Sequence, residues 1–401
     1  MDFQWITNEQ EKARLDGGLE FLSAQAVKPV RDFHAEFSEY RPTPLVPLKN
    51  LSSELGLKSI SVKDESLRMG LNSFKMLGSS YAVGRLIAQK LGRDFEKMKF
   101  EEFCAEKTRE RLGNLVFATA TDGNHGRGLA WTANRLGYSS VVFLPKGSSG
   151  ERVRNIANNG AQTFVTDRNY DDTVRLMIGE ASRNGWQIVQ DTSWEGYGEV
   201  PRWIMQGYTT IASEFLSQAA EEGIPAPTHL FLQAGVGSFA AAMAAFFRAA
   251  FPSAPPRVIV VEPNKADCFY RSAKQGGMTA VGGDLDSIMA GLSCGEPSPI
   301  AWSVLKDSAA FLSVPDWVTA RGMRMYSAPC GDDRRVVSGE SGAVTLGALS
   351  LIMQRGEYAP LKKALGLNGT SSVLLVSTEG DTCREMYRRI VWEGEYGSAA
   401  E

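Results

Sequence analysis

Short apolar runs that stop at glycine, proline or a polar loop alternate with helix-patterned stretches along most of this chain. No other feature constrains the fold as strongly, because such alternation builds parallel sheets covered by helices. Residues 115–118 read as a buried strand entering the loop Thr121-Asp122-Gly123-Asn124-His125-Gly126, and residues 129–136 as the helix after it. Residues 140–144 form another apolar run, stopped by Pro145, and a helix over 151–158 ends near Gly160. The runs 162–165 and 188–191 continue the pattern, while 229–233, 257–261 and 372–376 read as strands of a second sheet. The fold class expected is α/β. With 401 residues the chain has room for two core-bearing lobes.

Composition narrows the function classes. Hydrophobic residues make up 43% of the chain, which fits a well-buried globular protein rather than a disordered one. A net charge of −3 gives no bulk attraction to nucleic acid or an anionic membrane. The start Met1-Asp2-Phe3-Gln4-Trp5 lacks the basic and apolar regions of a signal peptide, and the apolar stretch 240–247 is too short to span a bilayer. A cytoplasmic protein is expected. Its five cysteines are dispersed and read as buried reduced thiols, with a Cys268–Cys294 bridge left open. Three scattered histidines do not suggest a metal site. Residues 92–113 are dense in mixed charge, with Phe95, Met98 and Phe103 spaced for one amphipathic helix on the surface.

Candidate chemistry gathers in a few runs. In Asn72-Ser73-Phe74-Lys75-Met76, apolar neighbours enclose an amine, and Asn72 or Ser73 can cap a helix there. A desolvated lysine is a nucleophile toward carbonyls. Lys63 is the alternative, but Asp64 and Glu65 beside it suggest a surface or interlobe ion pair. Gly235-Val236-Gly237-Ser238, between a strand and a helix, leaves backbone N–H groups for an anion. The same run satisfies the GxGxxA dinucleotide pattern, with Glu262 ending the next strand. Glycines at 123 and 126 permit tight backbone geometry around Asp122 and Asn124. Asp191 and Thr378 each follow an apolar strand, where a plain capping role is the alternative for Asp191 and a turn role for Asp122.

Together these runs resemble the fold type II pyridoxal-phosphate enzymes, the group of serine and threonine dehydratases and tryptophan synthase β. Within that group the chain is similar to the diaminopropionate ammonia-lyases. The runs Asp191-Thr192-Ser193-Trp194-Glu195-Gly196-Tyr197 and Trp203-Ile204-Met205-Gln206-Gly207-Tyr208 carry the narrower resemblance. It implies two lobes, each with a helix-flanked, mostly parallel sheet: residues 75–217 as a small lobe inserted in a large lobe of 1–74 and 218–401. It also implies pyridoxal 5′-phosphate (PLP) as cofactor, held by Lys75 as a Schiff base beside Phe74. Asn124 would meet the ring hydroxyl, and Gly235, Val236, Gly237 and Ser238 the phosphate. Thr378 would accept from, or donate to, the ring nitrogen. Thr121, Asp122, Gly123, His125 and Asp191 would bind substrate, with Lys75, Asp122 and Asp191 catalytic. Two departures stand out: Leu77 replaces a common arginine, and Asp122 replaces a serine. Glu340 is a further candidate near the site, with interlobe packing as its other explanation. The implied reaction is elimination from 2,3-diaminopropionate, L and D, to pyruvate and ammonia, in a homodimer. A serine or threonine dehydratase and a non-catalytic ligand sensor are the alternatives.

Overall fold

A computed structural model describes residues 3–8 and 20–397. Its strands are β1 (Gln4–Thr7), β2 (Leu45–Pro47), β3 (Ser59–Asp64), β4 (Val116–Ala120), β5 (Ser139–Leu144), β6 (Gln162–Val165), β7 (Gln187–Ile188), β8 (His229–Gln233), β9 (Arg257–Pro263), β10 (Ala310–Val314) and β11 (Ser372–Ser377). They form one sheet in the order β1-β10-β9-β8-β11-β3-β2 and another in the order β6-β5-β4-β7. The second sheet is parallel throughout, and the first is antiparallel only at its two edges, β1 and β2.

Side chains alternate across each sheet, and both faces are buried. Leu230, Leu232, Val258, Val260, Leu374 and Val376 pack on the helix Ser238–Ala250. The intervening Phe231, Ile259, Val261, Val373 and Leu375 pack on the helix Glu340–Gln354. In the smaller sheet Ala118, Ala120, Val141 and Phe143 face the helix Tyr170–Asn184, while Val142 and Leu144 face Ala130 and Ile156. Helices covering both faces explain why these strands read as continuous apolar runs.

The helix Met76–Leu91 crosses Glu199–Glu222 at a point only glycine permits. A Cβ on Gly207 would lie 2.3 Å from the Leu77 carbonyl oxygen. Such contact fixes the helix that begins just after Lys75.

Three expectations change. Residues 92–113 are not one helix: the segments Phe95–Lys97, Phe100–Cys104 and Glu106–Leu112 are separated by extended backbone at Met98, Lys99 and Ala105. The break lets Phe95, Phe100 and Phe103 all reach the Phe33 ring, which one straight helix would not allow. Neither Asn72 nor Ser73 caps the helix after Lys75: Lys75 occupies the cap position, and Asn72, at φ +57°, donates to Asp381 instead. The strand expected over 188–191 ends at Ile188. Beyond it the Gln190 amide takes over the ladder, meeting Ala120 N at 2.9 Å and Ala120 O at 3.0 Å. That substitution frees the backbone at Asp191 to leave the sheet.

Candidate active site at the strand ends

One cavity lies at the C-terminal ends of β4, β8 and β11, where open α/β sheets place their ligands. Its walls include Phe74, Lys75, Thr121, Asp122, Asn124, His125, Asp191, Gly235, Val236, Gly237, Ser238 and Thr378. Gly123 does not reach it. Its N–H is spent on Thr121 Oγ1 at 2.9 Å, and that of Gly126 on the same oxygen at 3.1 Å. These two glycine N–H groups therefore do not serve a substrate carboxylate; they shape the loop that presents Asp122 and Asn124. Tyr170, Gln233, Ser341 and Glu379 also line the cavity. Glu379 and Ser341 had a sequence signal only in their positions beside Thr378 and Glu340.

Lys75 is tied to the end of β11, since Phe74 N donates to Thr378 O at 3.3 Å. Its Nζ donates to Asp191 Oδ2 at 2.6 Å and sits 5.6 Å from the Phe74 ring centre. Burial opposes the lysine charge, but Asp191, together with Tyr208 and Asp122, holds the ammonium above its usual range. Burial likewise opposes the Asp191 charge, and Lys75 holds that carboxyl down at about 2. Asp191 is therefore a carboxylate paired with Lys75, not a helix cap.

Asp122 differs. It accepts no hydrogen bond from any described residue. Burial raises its carboxyl to about 6, against the opposing pull of Lys75 and Arg152. A carboxyl so placed is ionised at neutral pH, yet basic enough to take a proton.

His125 Nε2 lies 2.8 Å from Val189 O, which can only accept, so Nε2 carries the hydrogen. Nδ1 is then a bare lone pair 4.0 Å from Asp191 Oδ2, buried without a partner among the described residues. Burial lowers its basicity and keeps the ring neutral. Asn124 Nδ2 donates to Glu379 Oε2, and Glu379 Oε1 accepts from Ser341 N at 2.9 Å. Glu340 is buried and borders an adjoining cavity with Arg152 and Asp122.

The glycine run forms the opposite wall. Ala234 N makes the last ladder bond, to Val261 O at 3.0 Å. Among the described residues, no protein acceptor meets the N–H of Gly235, Val236, Gly237 or Ser238. Gly237 has φ +91°, and a Cβ there would fall 2.3 Å from the Phe269 ring. The run thus opens the helix Ser238–Ala250 with free donors aimed at an anion. The dinucleotide alternative fails at Glu262, whose carboxyl accepts from Phe269 N at 2.8 Å and Tyr270 N at 2.7 Å. At 0% exposure that carboxyl is turned into the protein and out of reach of a ribose. Cys268 and Cys294, both near this run, are free thiols.

Comparison with known proteins agrees with this geometry. Residues 37–369 match the family described as pyridoxal-phosphate dependent enzyme. Diaminopropionate ammonia-lyase of Escherichia coli (strain K12) is 48% identical over 381 residues, 94% of each chain. The crystal structure of the Escherichia coli enzyme in complex with D-serine matches with TM-score 0.92 and 45% identity, covering 99% of both chains. Its complex with an aminoacrylate-PLP azomethine reaction intermediate matches with TM-score 0.91 and 44% identity, again over 99% of both. A four-stranded and a seven-stranded sheet meeting at one cavity, with Lys75 against an anion cradle, are thus accounted for together. The chain belongs to the pyridoxal-phosphate dependent enzymes of fold type II, and among them to the diaminopropionate ammonia-lyases.

Proposed function

We propose that this protein converts 2,3-diaminopropionate and water to pyruvate and two ammonia molecules, accepting both L and D enantiomers. The observation that carries the reading is the pairing of Lys75 with Asp191 in a cavity that also holds the unpaired Asp122.

The cavity fits PLP on its own chemistry. Four backbone donors without protein acceptors suit a phosphate at a helix N-terminus, and a larger residue at 237 would meet Phe269. Gly235, Val236, Gly237 and Ser238 would hold the phosphate, Lys75 the aldehyde carbon, Asn124 the ring hydroxyl and Thr378 the ring nitrogen. When bound, PLP draws electrons from the substrate Cα and acidifies its proton.

The chain supplies the rest. The two enantiomers point their Cα proton in opposite directions, so one base cannot serve both. Lys75, as an uncharged amine, takes the proton of the L form and passes it to the departing β-amine, while Asp122 takes that of the D form. Asp122 is suited to this because burial has raised its basicity and no neighbouring donor quenches it. Asp191 and the Nδ1 lone pair of His125 receive the distal amino group of the substrate, a second nitrogen that serine and threonine lack. The β-amine must leave protonated. Lys75, held as an ammonium by Asp191, supplies the proton when Asp122 is the base. Thr121 lines the wall beside the substrate carboxylate. The division into a lobe of residues 75–217 and a lobe of 1–74 with 218–401 is part of the same reading. All four strands of the smaller sheet lie inside the first range. So are a cytoplasmic location and a homodimer, of which sedimentation of the purified protein checks the second; among the described residues no helix is long and apolar enough to cross a membrane.

The experiment is pyruvate formation from L- and D-diaminopropionate, serine and threonine by wild type and Asp122→Asn. The variant keeps shape but loses basicity, so D-turnover should fall by about 10²–10⁴-fold while L-turnover stays near wild type. Equal losses on both enantiomers would make Asp122 a binding residue. Strong preference for serine would make the protein a dehydratase.

A further inference from the structure

Gln233 is the last residue of β8, and Thr378 follows β11, its parallel neighbour in the larger sheet. Gln233 Nε2 lies 2.9 Å from Val376 O and 2.9 Å from Thr378 Oγ1. A backbone carbonyl can only accept, so the nitrogen of the amide, not its oxygen, must face this corner. Both hydrogens of Nε2 are then used, and Thr378 Oγ1 is an acceptor. The Thr378 proton has to go elsewhere, and no described residue accepts it. Both side chains are buried, Gln233 at 2% and Thr378 at 4% exposure, and both line the cavity.

We propose that Gln233 is a positioning residue that fixes the Thr378 hydroxyl as a donor into the cavity, so that bound PLP keeps its ring nitrogen unprotonated. The inference rests on the reading that Thr378 faces that nitrogen. A pyridine lone pair satisfies the outward O–H, whereas a pyridinium N–H would confront it and leave the threonine proton buried without an acceptor. An unprotonated ring draws electrons from Cα less strongly, which tunes the site toward expelling a β-group rather than holding charge on the ring.

Gln233→Glu reverses the corner with almost no change in shape. Any proton on the new carboxyl goes to Val376 O, so the carboxyl accepts from Thr378, whose oxygen then turns toward the ring nitrogen. The readout is the ¹⁵N resonance of the pyridine nitrogen in holoenzyme loaded with labelled PLP. Wild type should resonate at the unprotonated position and Gln233→Glu should move toward the pyridinium position. Gln233→Met, which deletes the donor, should move part of the way and serves if the glutamate variant fails to fold. Thr378→Val is the control on the underlying reading. A shift in Thr378→Val without one in either Gln233 variant overturns the role of Gln233 alone. No shift in Thr378→Val removes Thr378 from the ring nitrogen, and the inference falls with it. A wild-type signal at the pyridinium position also overturns the proposal.

Discussion

Two clusters of charge inside this molecule are finished to different degrees. In the first, Lys63 Nζ spends all three hydrogens, on Glu214 Oε2 at 2.6 Å, Thr43 O at 2.6 Å and Gln218 Oε1 at 3.1 Å. Arg68 binds Glu65 at 2.8 and 2.9 Å and Glu214 at 2.7 and 2.8 Å, and Tyr40 O–H adds a bond to Glu214 at 2.8 Å. Two cations face two carboxylates, with 0% exposure throughout. In the second, Lys75 makes one hydrogen bond, Asp122 accepts none, and His125 Nδ1 has no partner among the described residues. A closed cluster joins elements: here β3, the turn before Lys75 and the helix Glu199–Glu222. An open cluster keeps hydrogen-bonding capacity for a ligand, at the cost of burying it unpaired. Both lysines stand beside acids, Lys63 buried and Lys75 half-buried. What separates them is completeness.

The comparison is broken most easily by deleting each cation's role in turn. Lys75→Ala should lower diaminopropionate turnover by at least about 10⁴-fold, since it removes both the covalent anchor and one base. Its urea midpoint should fall only modestly, because Asp191 loses one partner at the cavity wall, whereas Glu214 holds two fully buried cations. Glu214→Gln should do the reverse. It leaves Lys63 and Arg68 short of a buried counter-charge, costing about 3–5 kcal/mol of stability by chemical denaturation. Turnover per folded molecule should hardly change. The Lys63 and Arg68 charges hold the Glu214 carboxyl well below its usual range, against burial. Its stabilisation is therefore present above the ordinary carboxylate range and lost as pH falls through the depressed value. Smaller again is a pH effect at Asp122. The base must be ionised and its carboxyl sits at about 6. D-turnover should fall about tenfold per pH unit below that point, with no matching limb in L-turnover. Parallel profiles for the two enantiomers would erase the distinction between their bases.

How far the sequence carries depends on distance along the chain. Lys75, the Asn124 loop and the glycine run each announce themselves through adjacent residues, and the structure gathers all three around one cavity. The paired strands of the larger sheet, 229–233, 257–263 and 372–377, fall almost where apolar runs place them. Partnerships between distant residues were hidden. Lys63 looks like a partner of its flanking acids, but its counter-charge, Glu214, is 151 positions away. Gln190 ends a strand by supplying its side chain to Ala120, 70 positions earlier, and no apolar pattern encodes that. Gln233 reads as an ordinary strand residue until β11 is laid beside it. The aromatic residues between 92 and 113 fit a helical spacing, yet their true arrangement follows from one ring, Phe33, on another element.

The contrast between the lysines is settled most directly by trapping. Holoenzyme reduced with borohydride, digested and mapped by mass spectrometry reports which lysine carries the pyridoxyl group. The open cluster predicts the label on Lys75 and none on Lys63. A label on Lys63, or on both lysines equally, would contradict the account.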